Sequence, residues 1–110
     1  MTIYITQGRF TARAVEGALN KPEDRTQAVA ALMEAAGGKL LNYYVTFGEY
    51  DFLIIAEGES EKNVLAGLLT AASTGTVTDL HTVPAITAAD AKAVYEKAQS
   101  MRAGFKPAGG

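Results

Sequence analysis

Hydrophobic and polar positions alternate in four short segments of this chain, a pattern typical of β-strands. The segments predicted as strands are residues 2–10, 39–47, 51–57 and 76–83. The first shows the alternation clearly, since Ile3 and Ile5 are separated by Tyr4 and flanked by Thr6. The second and third lie so close in sequence that only a hairpin can join them. Pro84 follows the fourth, at a strand exit where a missing amide donor is tolerated.

Gly48, Glu49 and Asp51 interrupt the two most apolar strands and predict the geometry of their hairpin, in which Gly48 and Glu49 form the reversal. Gly48 suits a reversal because a tight turn commonly requires a positive φ. The short carboxylate of Asp51 can accept hydrogen bonds from backbone amides that the turn leaves unpaired. Tyr50 is expected to pack at the start of the next strand. An acid–base role for Glu49 and Asp51 is the alternative interpretation, and turn stabilisation for Asp51 and solvent exposure for Glu49 explain the two residues more simply.

Helical periodicity fills the intervals between the strands. Thr11 is the predicted cap of a first, short helix. A second helix is predicted to start at Pro22, which suits a first helical turn, and Glu23 and Asp24 would oppose the positive end of its dipole. The pair of glycines at 37–38 supplies a left-handed stop.

Two further helices complete the predicted elements. Ser60 caps one that ends at Gly75. Thr87, with Asp90 three residues later, resembles a capping box at the start of a carboxy-terminal helix. That last helix has an apolar side made of Ala91, Val94, Tyr95, Ala98 and Met101.

The order of elements, βαββαβ plus a carboxy-terminal helix, predicts an α+β fold. Right-handed crossovers place both main helices on one side of an antiparallel four-stranded sheet, which is a ferredoxin-like sandwich. We expect one domain over residues 1–103 and a flexible tail over residues 104–110. Because the helices shelter only one side, the opposite face of the sheet is left open.

Both faces of the predicted sheet are apolar, which predicts a dimer. The third strand offers Phe52 and Ile54 to one side and Leu53 and Ile55 to the other, whereas a sheet with one wet face should alternate apolar and polar residues. Four strands of about seven residues present roughly 440 Å², an area within or above what monomers usually expose. We therefore expect two sheets to stack as a dimeric α/β barrel. Docking of the carboxy-terminal helix on its own sheet is the alternative.

Composition excludes several classes of protein. The chain has no cysteine, which excludes disulfide frameworks, thiolate zinc sites and cysteine nucleophiles. Ten basic and twelve acidic residues give a net charge of −2, which argues against a nucleic-acid partner. The longest apolar run, residues 28–33, is far shorter than the roughly 20 residues of a membrane helix, and the amino terminus lacks the form of an export signal. We expect a cytoplasmic protein that uses no cofactor.

His81 is the only histidine, and Asp79 lies two residues before it on the same face of the predicted fourth strand. Such a pair can act as a general base and its orienting group. The alternative interpretation is a strand histidine that is hydrogen-bonded at a sheet edge or an interface. A single histidine without converging carboxylates predicts no metal site.

Hydroxyl and amide side chains recur along the first two predicted strands. They predict a small polar pocket for an organic ligand near the paired sheets, lined by Tyr4, Thr6, Asn42, Tyr44 and Thr46. The alternative is that these groups satisfy one another across the interface. A period of two defines the phase of a strand but not which face it presents, so the face stays open at this point.

Arginines and glycines suggest an anion site and a phosphate-binding loop, and simpler interpretations explain both sets of residues. Arg9, Arg13 and Arg25 could gather at one end of the sheet to hold an anion, yet solvated helix and strand-end positions explain them. The Gly-Gly-Lys run at residues 37–39 ends a helix, whereas the glycines of a phosphate-binding loop open one.

Several motifs resemble those of the GYD-domain family, whose small proteins are placed in the dimeric α/β-barrel group. The matching residues are YITQGRFTA at 4–12, Arg25, GGKL at 37–40, FGEYD at 47–51 and TVPAITAADA at 82–91. The Gly-Tyr-Asp signature is present in spaced form, with Glu49 between Gly48 and Tyr50. The resemblance extends from Tyr4 to about Tyr95. It implies the fold and the pairing of subunits but no established activity.

A looser likeness connects the Gly-x-Tyr-Asp hairpin to the effector domains of leucine-responsive transcription regulators. Those domains pair their sheets and bind amino acids between subunits, and this sequence lacks their helix-turn-helix half. Three functional hypotheses follow, of which the third is a structural or assembly protein that would form higher-order rings or fibres with no occupied cavity. The first is a small homo-oligomeric binding or accessory protein with a ligand at or near the sheet–sheet interface. The second is a cofactor-free barrel enzyme, of isomerase or monooxygenase type, that uses His81 and Asp79.

Overall fold

A computed structural model describes residues 1–110 and shows one antiparallel sheet with four helices. The strands are β1 (Thr2–Phe10), β2 (Lys39–Val45), β3 (Phe52–Gly58) and β4 (Val77–Ala85). The helices are α1 (Ala12–Asn20), α2 (Thr26–Ala35), α3 (Glu61–Ser73) and α4 (Ala88–Arg102). The expected order is confirmed, and its first crossover contains two helices.

The strands lie in the order β2-β3-β1-β4, and every neighbouring pair is antiparallel. This is the ferredoxin-like arrangement, so the predicted fold class is confirmed. Tyr4, in the centre of the sheet, lies opposite Ala56 on one side and Pro84 on the other. Pro84 therefore belongs to β4 instead of following it. The sheet tolerates this proline because β4 is an edge strand, where an amide donor is dispensable.

Three helices begin at the residues that the sequence predicts. The side chains of Thr11, Ser60 and Thr87 each accept a hydrogen bond from the backbone amide three residues later, at 3.3, 3.2 and 3.0 Å. Each cap thus satisfies one of the amides that the first turn of a helix leaves without an internal partner.

The predicted start of α2 at Pro22 is wrong, because the helix begins at Thr26. Asp24 Oδ1 accepts hydrogen bonds from the Thr26 amide at 2.9 Å and from the Thr26 hydroxyl at 2.6 Å. These two bonds, the side-chain bond first, lower the pKa of Asp24 below its ordinary value. The carboxylate thus satisfies the first amide of the helix from outside it, and residues 21–25 form a loop.

The end of α2 follows the glycine prediction closely. Gly37 has a φ of 80°, and its amide donates to the Glu34 carbonyl at 2.9 Å, while the Gly38 amide donates to the Met33 carbonyl at 2.9 Å. This pair of bonds is a Schellman motif. A side chain at Gly38 would collide with the backbone carbonyl of Glu57 on β3, so the chain passes from α2 into β2 against the sheet.

The core lies between the sheet and the helices α2 and α3. Its strand residues are the buried positions Tyr4, Thr6, Gly8, Phe52, Ala56 and Gly58. The rings of Phe10 and Phe52 have centroids 5.2 Å apart. Gly8 makes room for this pair, because an added Cβ would lie 2.6 Å from Cζ of Phe52 and 2.8 Å from Cδ2 of Leu80.

Helix α4 extends away from the rest of the chain. Every α4 residue except Ala91 is exposed, and Tyr95 is 71% exposed. The molecule is 60 Å long with a radius of gyration of 18.0 Å, against about 13 Å for a compact chain of this length. Docking of α4 on its own sheet, the alternative to a dimer, is therefore wrong.

Residues 103–110 contain only turns and irregular structure and are all exposed. The flexibility of this tail and the domain boundary after residue 103 stay predictions. None of the four helices combines the length and apolar character that crossing a bilayer requires.

Candidate functional site

The sheet has an apolar face that no helix covers, which we name the open face. Strand pairing places Ile5 opposite both Ile55 and Val83, and side chains directly opposite on neighbouring strands share a face. The apolar residues of the open face are Ile3, Ile5, Leu53, Ile55, Val83 and Ala85. None of the six is buried. The chain therefore exposes a continuous apolar surface on one side of its sheet.

A polar row crosses one end of the open face. Gln7 on β1 lies opposite Leu53 on one side and His81 on the other, and Tyr44 on β2 lies opposite Leu53. The three polar side chains of this row, Gln7, Tyr44 and His81, thus lie on one line across the sheet, with Leu53 between Tyr44 and Gln7. An apolar surface with a few polar groups at its border is the usual composition of a ligand site.

Arg9 is the centre of a cluster beside this row. Its Nε donates to the Glu49 carbonyl at 2.8 Å, and its guanidinium carbon lies 5.8 Å from the centroid of the Tyr50 ring, within cation–π range. Its Nη1 is 3.8 Å from Oδ2 of Asp79. The Tyr50 ring centroid is 6.1 Å from that of His81. We name the side chains of Arg9, Tyr50, Asp79 and His81 the Arg9 cluster. It joins β1, β4 and the β2–β3 hairpin.

Asp79 occupies a bulge in β4 and has a φ of 52°, the only positive φ at a non-glycine residue. Thr78 lies opposite Arg9 and His81 opposite Gln7, so β4 contains one more residue than β1 at this point. Such a φ is unfavourable for an L-residue, and strained residues and bulges concentrate at functional sites. This conformation brings the Asp79 carboxylate to Arg9.

The predicted pair of Asp79 and His81 lies at one end of the open face but is not joined. No hydrogen bond connects the two side chains, and the only charged partner of Asp79 is Arg9. A shared face for the two side chains requires regular alternation between them, and the bulge at Asp79 breaks that alternation. His81 is exposed and faces the Tyr50 ring.

The hairpin residues hold the turn against β1. Asp51 Oδ2 accepts from the Phe10 amide at 2.9 Å, and the Asp51 amide donates to the Gly8 carbonyl at 2.8 Å. Gly48 has a φ of 143°, a conformation that favours glycine. The carboxylate therefore binds an amide of the neighbouring strand, where the sequence suggested an amide of the turn.

The five residues predicted to line one pocket do not meet. Tyr4 and Thr6 are only 6% and 7% exposed and face the helices, with Thr6 Oγ1 2.8 Å from Oγ1 of Thr82. Asn42 and Tyr44 share the open face, where Asn42 Nδ2 donates to the Tyr44 hydroxyl at 3.3 Å.

Thr46, the fifth residue of that set, lies beyond the end of β2, and its hydroxyl donates to the Tyr50 carbonyl at 2.8 Å. The separation of Asn42 and Tyr44 from Tyr4 and Thr6 has a single cause. The pairing of β2 with β3 shifts by one residue between Leu40 and Asn42. Regular pairing would have placed Asn42 on the face of Tyr4, and one extra residue moves all later side chains of β2 to the opposite face.

Arg9 and Tyr43 have distinctive surroundings that the sequence pattern does not reveal. Arg9 is not the solvated strand end that its position in the sequence predicts, because Tyr50 and Asp79, from distant parts of the chain, lie beside it. Tyr43 faces α2, and its burial raises its pKa, an effect that the positive charge of Arg25 opposes. No three His, Asp or Glu side chains come close enough together to hold a metal ion.

Comparisons with known proteins identify a family for this chain and several solved structures to which it is similar. A family model described as GYD domain matches residues 4–95. The crystal structure of hypothetical protein PHS023 from Pyrococcus horikoshii is 17% identical, with a TM-score of 0.51 over 79% of this chain and 92% of that chain. The crystal structure of TTHA0845 from Thermus thermophilus is 17% identical, with a TM-score of 0.49 over 80% and 96%. That of FFRP-DM1 is 19% identical, with a TM-score of 0.49 over 78% and 100%. A comparison with curated proteins finds no significant match.

Proposed function

This chain belongs to the GYD domain family, and from that premise we propose that it is a homodimeric binding module whose subunits pair through the open face. Its ligand is a small organic molecule held at the polar row, beside the Arg9 cluster. The observation that carries the proposal is the open face itself, an apolar sheet surface that neither α4 nor any other element of the same chain covers.

The energy of burial supports pairing. Joining two faces of roughly 440 Å² removes ~880 Å² from water, worth ~22 kcal/mol gross at about 25 cal/mol per Å². Association costs about 4–15 kcal/mol in lost freedom of motion. The balance favours a dimer.

Helix α4 supplies further area for the same contact. Standard interfaces bury about 1,200–2,000 Å², more than the sheet faces alone provide. Ile86 and Val94, which follow β4 along the chain, are 57% and 54% exposed. A helix of 15 residues is only marginally stable alone in water. We therefore include α4 in the interface with the second copy.

The polar row supports a ligand site at the border of this interface. Gln7, Tyr44 and His81 provide hydrogen-bonding groups beside the apolar side chains, and Arg9 adds a fixed positive charge. A small molecule with an apolar body and one polar end fits such a surface. The cofactor-free enzyme has less support, because Asp79 faces Arg9 and is not bonded to His81. The cytoplasmic location stays a prediction.

Sedimentation equilibrium of the full chain and of an Ile5→Asp variant tests the pairing. We expect the wild type at twice the 11.6 kDa chain mass and the variant at the mass of one chain, because a charge in the middle of the open face would be buried without a partner. Leu19→Asp is the matched control, since Leu19 is an exposed apolar residue of α1, away from the sheet face, and it should remain dimeric. A monomeric wild type at micromolar concentration would overturn the proposal.

An NMR screen with neutral aromatic fragments tests the ligand site. We expect fragments that bind to shift the amide signals of Gln7 and His81. Gln7→Ala should weaken the binding of these fragments and leave the mass of the dimer unchanged. Shifts that avoid the polar row altogether would contradict the placement of the ligand.

A further inference from the structure

A cavity lies on the other side of the sheet, between the strands and the helices α2 and α3. It consists of two adjoining hollows, each partly open to solvent, of about 90 Å³ and about 40 Å³. The residues that line both hollows are Thr6, Met33, Ile54, Gly67 and Leu68. We name this space the interlayer cavity.

The chain does not fill this space with its own side chains. Protein interiors are normally packed as densely as organic crystals. Here the buried hydrophobic residues are only Tyr4, Phe52 and Ala56, and no large side chain is fully buried. The layer between sheet and helices therefore has room for additional apolar atoms.

Gly67 keeps part of that room open. It is the only buried residue of α3, and glycine inside a helix is less stable than alanine. Its helical backbone does not require glycine, and an added Cβ would meet only the Cβ of Ala36, at 3.4 Å, which is ordinary van der Waals contact. Neither backbone conformation nor the approach of α2 to α3 explains this glycine. The empty space beside Gly67 explains the glycine, since a larger side chain would occupy that space.

The cavity has almost no polar character. Thr6 is the only shared lining residue with a polar side chain, and its hydroxyl is already paired with that of Thr82 at 2.8 Å. A charged ligand would lose its hydration here without finding a partner. Apolar cavities of roughly 150 Å³ in proteins stay dry and admit benzene or xenon, so the two hollows together approach the size that an aromatic ring needs.

We propose that the interlayer cavity binds a small uncharged apolar molecule, an aromatic ring or a short alkyl chain, between the sheet and the helices α2 and α3. Gly67 is the residue that sets the size of the site. This site lies on the opposite side of the sheet from the open face, and it does not depend on the proposed pairing of subunits.

The test uses benzene as the probe and two glycine variants of the full chain. Gly67→Ala places a methyl group in the cavity. Gly17→Ala is the matched control, because Gly17 also lies inside a helix, α1, and an added Cβ there has no neighbour within 4 Å. Both changes raise helix propensity, so both should raise Tm in the absence of benzene. Only the first should affect binding.

Methyl NMR titrations and thermal melts give the result. We expect benzene to raise Tm and to shift the methyl signals of Met33, Ile54 and Leu68 in the wild type and in Gly17→Ala. In Gly67→Ala we expect binding about fourfold weaker, which corresponds to one methyl group of apolar contact.

Three outcomes would overturn the proposal. The first is a wild type whose methyl signals and Tm do not respond to benzene. The second is equal binding by both glycine variants. The third is a set of shifts confined to Ile5, Leu53 and Ile55, which would move the apolar ligand to the open face. The mass of the dimer, measured on the same samples, tells whether the proposed pairing holds independently.

Discussion

The two faces of the sheet contain similar apolar residues but have different surroundings. On β3, Phe52 and Ala56 are 3% and 7% exposed beneath the helices, whereas the alternating residues Leu53 and Ile55 are only partly buried. Both α2 and α3 lie over the same side. The apolar content of a strand therefore does not decide which side is buried. The connections between strands decide it.

A difference in polar groups accompanies the difference in burial. On the covered face the hydroxyl of the buried Thr6 is paired with that of Thr82. The open face has Gln7, His81 and Arg9 at one end. The covered face is thus suited to apolar ligands alone, and the open face to a partner with both apolar and polar parts.

The largest expected effect comes from removing an aromatic side chain of the covered face. Phe52→Ala should destabilise the fold by about 3–5 kcal/mol, because it removes a buried ring and leaves a cavity. Leu53→Ala changes the next residue, which lies on the open face. It should lower the free energy of unfolding much less at low protein concentration. Urea unfolding measures both. Equal losses at low concentration would remove the distinction between the two faces.

Gly8→Ala should cause the next largest loss of unfolding free energy, about 1–3 kcal/mol. The new Cβ would lie too close to Phe52 and Leu80. Shortening the ring should relieve that contact. The double variant Gly8→Ala with Phe52→Leu should therefore lose less than the sum of the two single changes in urea unfolding. Strict additivity would show that Gly8 does not make room for the ring.

Asp79→Gly should stabilise the chain by about 1 kcal/mol, since glycine tolerates the positive φ of the bulge. The contact that is lost, between Arg9 and Asp79, joins two side chains that are about half exposed, and such pairs contribute little. Asp79→Ala retains the backbone strain and serves as the comparison in thermal unfolding. If Asp79→Gly were the less stable of the two, the Arg9 contact would outweigh the strain.

Tyr43 should produce the smallest effect, visible only in alkaline solution. Burial raises its pKa above its ordinary value of 10.0, so the folded state holds the phenol proton more tightly than the unfolded state. The stabilisation is complete below pH 10.0 and is lost as pH rises through the raised pKa. Tyr43→Phe should remove this decline in unfolding free energy, and Tyr44→Phe, on the open face, should retain it. Parallel pH profiles for wild type and Tyr43→Phe would contradict the assignment.

Features that depend on near neighbours in sequence were predictable. Thr11, Ser60 and Thr87 cap helices as expected, and Gly37 ends α2 with a positive φ. The predicted start of α2 at Pro22 is wrong because a turn at Asp24, whose carboxylate binds Thr26, competes with the helix there.

The candidate site was predictable only in part. His81 and Tyr44 do lie on the open face, but Tyr4 and Thr6 lie on the other. The shift in β2 between Leu40 and Asn42, like the bulge at Asp79, depends on the pairing with a neighbouring strand. Alternation along one strand contains no information about an extra residue opposite another.

The sequence by itself determined the elements, their order and the apolar character of both sheet faces, because caps, glycine turns and side-chain periodicity act within a few residues. Only the tertiary structure decided which face stays open, that α4 extends away from the sheet, and that Arg9 meets Tyr50 and Asp79. These features depend on contacts between residues that are far apart in the chain, and a single shift in strand pairing is enough to move a side chain from one face to the other.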